Sequence, residues 1–107
     1  MKIKYFELAT VLSITTNKIL TSTNKIEKLI TFLTNKNINK NTLINDIQLC
    51  KNIILEKYPF LYEIGTKEKF KNKTELNKFI EEQIEIYGNS FEFTQKNRKE
   101  LTKKIRV

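Results

Sequence analysis

The sequence predicts an α+β fold: four helices packed on a small antiparallel sheet formed by N- and C-terminal strands. Two observations predict it. Residues 2–6 and 91–93 alternate in hydropathy, as half-buried strands do. Between them, four segments place apolar residues at helical spacing. Strands at the two ends would pair, and the intervening helices would cover the sheet.

The elements follow in order. Lys2 and Lys4 fall on one side of the first strand, and Ile3 and Tyr5 on the other. This spacing predicts that the Ile3–Tyr5 side is the buried one. The next segment, LATVLSITTN, runs from Leu8 to Asn17 without a charge in a chain that is 30% charged. Leu8, Val11, Leu12 and Thr15 fall on one helical face. Its threonines also suit a strand. Glu7 suits a helix start, and Asn17 can adopt the left-handed conformation that ends a helix. Ala9, Thr10, Ser13 and Thr16 are small, so neighbours can approach from several sides. Residues 7–16 therefore read as a central, largely buried helix.

Asn24 with Glu27 forms a candidate capping box for a second helix. Its stripe is Ile26, Leu29, Ile30 and Leu33, and Asn35-Lys36-Asn37 ends it. A third helix follows, capped by Asn41, with the stripe Leu43, Ile47, Cys50, Ile54 and Tyr58. Pro59 stops it, because the residue before proline avoids helical geometry. Residues 59–73 read as a loop whose Phe60, Leu61, Tyr62, Ile64 and Phe70 require part of it to fold back onto the core. Asn72 with Glu75 caps a fourth helix, with Leu76, Phe79, Ile80, Ile84 and Tyr87 inward and Gly88 as its stop. Residues 1–95 make a single globular domain and 96–107 a basic tail, in which Leu101 and Ile105 lie four apart, as in a short amphipathic helix.

Composition narrows the chemistry. The chain has no histidine, so it lacks the commonest general base and transition-metal ligand. Two glycines leave no Gly-rich phosphate loop. Cys50 falls on an apolar helix face and reads as a core thiol. Glu81, Glu82 and Glu85 read as a solvated helix face. The expectation is a protein without enzymatic activity and without a cofactor or metal. A single cysteine excludes an internal disulfide and suits a reducing compartment. No segment has the roughly 20 apolar residues of a membrane span, and residues 1–5 do not resemble a signal peptide. A cytoplasmic protein with no membrane partner is expected.

The net charge of +8 favours acidic partners or nucleic acid. Lys, Ile and Asn together make 45 of 107 residues, which is also what an AT-rich genome would give. Arginine, the usual choice for bidentate phosphate or base contacts, occurs only at 98 and 106. The candidate footprint for nucleic acid or an acidic partner is Lys96, Arg98, Lys99, Lys103, Lys104 and Arg106. The candidate surface for a protein partner is Phe60, Tyr62 and Phe70.

Four motifs carry a resemblance. They are Val11-Leu12-Ser13-Ile14-Thr15-Thr16-Asn17, Phe32-Leu33-Thr34-Asn35, Tyr58-Pro59-Phe60-Leu61, and Glu81-Glu82-Gln83 running to Tyr87-Gly88. In this order they resemble a family of small bacteriophage and prophage proteins that open with V-L-S-[IV]-T-T-G-x-L-L. The family pattern has glycine at the positions of Asn17 and Asn35, which leaves a left-handed helix end intact. It also carries His and Arg at the start of the third helix and His before the proline. Here those regions read Asn41-Thr42-Leu43-Ile44-Asn45-Asp46 and Lys57-Tyr58, so no role of those side chains transfers. The resemblance implies a phage or prophage protein acting in the cytoplasm of a bacterial host, and the composition rich in Lys, Ile and Asn suggests that the host is low-GC. By the same resemblance it is expected to bind a host defence protein, most concretely a CRISPR effector, in the manner of an anti-CRISPR protein. Two alternatives stay open: an RNA-binding protein, and a self-associating structural or accessory phage protein.

Overall fold

The computed structural model describes residues 2–67 and 69–95. Strand β1 (Ile3–Phe6) leads into helix α1 (Leu8–Thr16), followed by α2 (Thr23–Thr34), α3 (Leu43–Lys57), a 3-10 turn (Pro59–Glu63), α4 (Lys73–Tyr87) and β2 (Phe91–Thr94). The two strands pair antiparallel, with Lys4 opposite Phe93 and Phe6 opposite Phe91. The expected α+β architecture is the observed one.

Helix α1 lies at the centre. Leu8, Thr10, Val11, Leu12, Ser13, Ile14 and Thr15 are all buried. A helix this short is marginal alone, so its stability comes from neighbours on nearly every side. Its buried hydroxyls are satisfied by its own backbone: Ser13 Oγ donates to the Ala9 carbonyl at 2.7 Å and Thr15 Oγ1 to that of Leu12 at 3.3 Å. Ser13 Oγ also accepts from the Leu20 N–H at 3.0 Å, drawing the following segment onto the helix. Asn17 ends α1 and Asn35 ends α2, both in the left-handed conformation. Gly65 closes the turn after the 3-10 segment at φ +76, where a Cβ would come within 3.1 Å of Thr16 Cγ2.

Five details differ from expectation. The sheet faces the other way: Ile3 is 54% and Tyr5 63% exposed, while Phe91 and Phe93 are buried. The register puts Lys4 and Phe6 on the side of the two phenylalanines. Burying three aromatic rings against the helices outweighs burying Ile3 and Tyr5, and one strand's alternation alone cannot choose a face. Helix α2 begins one residue before Asn24. Its cap is Ser22, whose side chain accepts from the Lys25 N–H. Helix α3 is preceded by Thr42 rather than Asn41, and Thr42 Oγ1 donates to Asp46 at 2.9 Å. Asn72 does cap α4, accepting from the Glu75 N–H at 3.0 Å, but the Glu75 carboxylate accepts from the Lys71 N–H. The expected loop 59–73 starts with the 3-10 turn, which buries Leu61. No described helix is long and apolar enough to cross a membrane.

Candidate functional site

Reversal of the sheet leaves an aromatic surface in solvent. Tyr5, on the outer face of β1, stands opposite Glu92 of β2. Its hydroxyl donates to Glu92 Oε2 at 3.1 Å. The backbone carbonyl of Glu92 accepts from the Tyr58 hydroxyl at 2.8 Å. Tyr58 sits where α3 ends before Pro59, and its ring meets Phe91 and Phe93 edge-on at 5.3 and 5.5 Å. Beyond it lies Phe60, 6.2 Å away, and Phe60 stacks on Tyr87 at 4.8 Å. Tyr58, Phe60 and Tyr87 thus form a line of rings from the end of α3 to the end of α4, and Glu92 joins it to Tyr5 of β1.

Charge is fixed within this line. Lys57 Nζ lies 3.7 Å from Glu92 Oε1. It also lies 5.6 Å from the Tyr58 ring and 5.7 Å from that of Phe93. Hydrogen bonding to the Glu92 carboxylate, then its charge, push the Tyr5 phenol above its ordinary pKa. Burial chiefly raises that of Tyr58, against the opposing hydrogen bond to the Glu92 carbonyl. Both phenols therefore stay neutral donors at physiological pH. Rings held by their own hydroxyls lose little freedom when a partner covers them, which favours their use as binding anchors.

The expected partner residues do not form one cluster. Phe60 belongs to the ring line and is 45% exposed. Tyr62 is 68% exposed, beside an open groove of about 530 Å³ shared with Lys51 and Lys67. Phe70 is partly buried and packs on Phe79 at 5.2 Å, beneath the ammonium of Lys18. The tail residues Lys96, Arg98, Lys99, Lys103, Lys104 and Arg106 lie outside the described residues. Sequence reasoning missed Tyr5 and Tyr87 as surface groups because both were assigned inward. A signal for Tyr5 existed in the second strand: its two phenylalanines compete for the same face.

Burial, with a smaller effect of the Asp46 charge, pushes the Cys50 thiol up to about 12, so it is not a thiolate at neutral pH. Among the described residues no three Cys, Asp or Glu side chains are grouped to hold a metal ion. Glu81, Glu82 and Glu85 are exposed on α4. Comparison of the chain with protein-family models, curated proteins and solved structures finds no match.

Proposed function

We propose that this chain is a non-enzymatic phage or prophage protein that binds a host component and so inhibits bacterial antiviral defence. The concrete form is an anti-CRISPR type inhibitor of an RNA-guided effector, or of its synthesis, acting in the host cytoplasm. The order of the four motifs supports the defence context. The observation that carries the binding role is the line of rings Tyr58, Phe60 and Tyr87, joined to the exposed Tyr5 through Glu92 and flanked by Lys57. Exposed aromatics around a fixed charge are typical anchors of protein interfaces.

The test joins capture to activity. Tagged protein is used to pull down partners from a low-GC host with and without RNase, and a plasmid-interference assay reads CRISPR function. The expected result is a CRISPR protein retained after RNase and interference suppressed. The double variant Phe60→Ala/Tyr87→Ala should lose roughly 30-fold in affinity, the size of a hot spot. Unimpaired interference in the presence of the wild-type protein would overturn the inhibitor reading. Full inhibition by the double variant would remove the ring line from it.

A second reading, nucleic-acid binding through the tail, is favoured by the distribution of charge. Six of the chain's 20 cations fall in residues 96–107 with one acid; the acidic Glu75, Glu81, Glu82 and Glu85 of α4, which complement the tail's charge within the same chain, weigh against it.

A further inference from the structure

The two edges of the two-stranded sheet differ. The N–H of Gln95 donates to the Lys2 carbonyl at 2.8 Å. Together with the register of Lys4 opposite Phe93 and Phe6 opposite Phe91, this bond fixes the phase of the ladder. In an antiparallel pair, successive residues turn their peptide groups alternately toward the partner strand and away from it. Lys2, Lys4 and Phe6 therefore turn theirs toward β2, and Ile3 and Tyr5 turn theirs outward. On β2 the outward residues are Glu92 and Thr94. The Glu92 carbonyl accepts from the Tyr58 hydroxyl at 2.8 Å, which agrees with this phase and occupies that edge at Glu92. At the β1 edge, the outward N–H and C=O groups of Ile3 and Tyr5 have no hydrogen-bond partner among the described residues.

An open row of peptide groups is a template for one more strand. The side chains of Ile3 and Tyr5 are exposed on the outer face. On the inner face, Lys2 and Lys4 border an open groove of about 570 Å³ whose other side is α2, so an added strand has room there. The charges of β1 select the occupant. Lys2 and Lys4 alternate with Ile3 and Tyr5, and the strand carries no acid. A second copy is a poor fit. Its β1, paired antiparallel in full overlap, would set Lys4 opposite Lys4. Slid by two residues toward the N-terminus, it would set Lys2 opposite Lys4. Slid the other way, it would leave only Lys4 to Phe6 in register. Like charges directly opposite destabilise a strand pair, and lysine on an edge guards against self-pairing. A strand with acids opposite Lys2 and Lys4 and apolar residues beside Ile3 and Tyr5 satisfies both faces.

We propose that the free edge of β1 takes up an extended acidic segment of a partner protein, in which Asp or Glu alternates with apolar residues, as a third strand of the sheet. The proposal rests on the reading above that the chain binds a host protein, and it specifies how that protein is held. Apolar residues of the added strand would lie beside Tyr5, which Glu92 joins to Tyr58 and Phe60, so the edge and the rings form one continuous surface. Main-chain hydrogen bonds supply affinity in this mode, and the alternate side chains supply the choice of partner.

Amide hydrogen exchange of the full chain, read by NMR, tests the edge residue by residue. The probe is a synthetic peptide in which Glu alternates with Val, and the same peptide with Lys in place of Glu is its control. In the free protein the Lys4 and Phe6 amides should be protected, and those of Ile3 and Tyr5 should exchange as in an open chain. At about ten times its Kd, the acidic peptide should slow Ile3 and Tyr5 about tenfold, and the basic peptide should not. Ile3→Pro removes an outward N–H and spares the β1–β2 ladder, whereas Ile3→Ala keeps that N–H. Proline should weaken peptide binding roughly tenfold more than alanine does. Lys2→Glu/Lys4→Glu should exchange the preference for the acidic peptide with one for the basic peptide. No slowing by the acidic peptide at millimolar concentration, or equal slowing by both peptides, overturns the proposal. Protection of Ile3 and Tyr5 in the free monomer would show the edge covered by the chain itself and overturns it too. Protection that grows with protein concentration, together with a doubled mass, would put a second copy there and overturn the acidic occupant. The plasmid-interference assay separates this proposal from the inhibitor reading. Suppression by Ile3→Pro equal to that by the wild type overturns the edge and keeps the inhibitor. Peptide binding alongside unimpaired interference keeps the edge and overturns the inhibitor.

Discussion

Helices α1 and α4 carry the same apolar signature and end up in opposite environments. Leu8, Val11, Leu12 and Thr15 repeat the spacing of Leu76, Phe79, Ile80 and, further on, Ile84 and Tyr87. Yet seven of nine residues of α1 are buried, and none of the fifteen of α4 is. The difference lies in the polar residues between the stripes. In α1 they are threonine and serine, short enough to return their hydroxyls to the helix's own carbonyls, as Ser13 and Thr16 do at 2.7 and 2.6 Å. Such a face can be buried without leaving a polar atom unpaired. In α4 they are Glu, Lys and Asn, whose desolvation nothing nearby would offset. An apolar stripe says that a helix has an inside. The residues between the stripes say how many neighbours it can accept.

Substitution of matched leucine and isoleucine residues would break the comparison most directly. Leu12 is fully buried. Leu12→Ala should destabilise by about 3–5 kcal/mol, because the surroundings on all sides limit collapse of the cavity. Ile84→Ala, on a helix open to solvent along one side, should cost about 1 kcal/mol. Urea midpoints at unchanged m-values measure both. Equal losses would mean that α4 is as deeply packed as α1.

Alkaline pH probes the same core through Cys50 of α3. Burial pushes its thiol up to about 12 in the fold, against about 8.5 in an unfolded chain. The unfolded state thus releases its proton first, and stability falls as pH rises through this interval by up to about 1.4 kcal/mol per unit. Below pH 8 the group contributes no slope. Cys50→Ala should remove this share of the alkaline loss, leaving that of the tyrosines. An unchanged slope would show that the thiol ionises freely in the fold. A smaller effect is expected at the hydroxyls: Ser13→Ala leaves the Leu20 N–H without its acceptor and should cost about 1–3 kcal/mol. Thr74→Ala, exposed in the first turn of α4, should stay within about 0.5 kcal/mol.

These contrasts mark where the sequence was legible. The uncharged run 8–17 marks a central helix by sequence alone, because charge is the one property a buried helix cannot carry unpaired. The left-handed helix ends at Asn17 and Asn35 were readable for a similar local reason. The outer and inner faces of β1 were not. Alternation fixes which residues share a face, while the choice of face depends on what β2 brings opposite, and that is a contact across 85 or more positions of the chain. The candidate site inherits this. Phe60 was visible as an aromatic in a loop. Its stacking on Tyr87 and the Tyr5–Glu92–Tyr58 hydrogen bonds needed the register.

A small effect of the opposite sign shows how little α4 depends on its polar face. Glu81 and Glu85 are one helical turn apart and both exposed. Glu85 is also in the last turn, where the helix dipole disfavours an acid. Glu85→Lys converts a like-charge pair into the favourable order of acid before base and places a cation at the C-terminal end. It should stabilise the protein by roughly 0.3–1 kcal/mol, and 1 M salt should screen most of the gain. The same reversal of polarity has no counterpart in α1, where Thr15→Lys would bury an unpaired ammonium and cost several kcal/mol. A neutral or destabilising Glu85→Lys would indicate that the acidic face of α4 already has a partner, and the basic tail, five cations in excess of its acid, would be the first segment to delete in search of it.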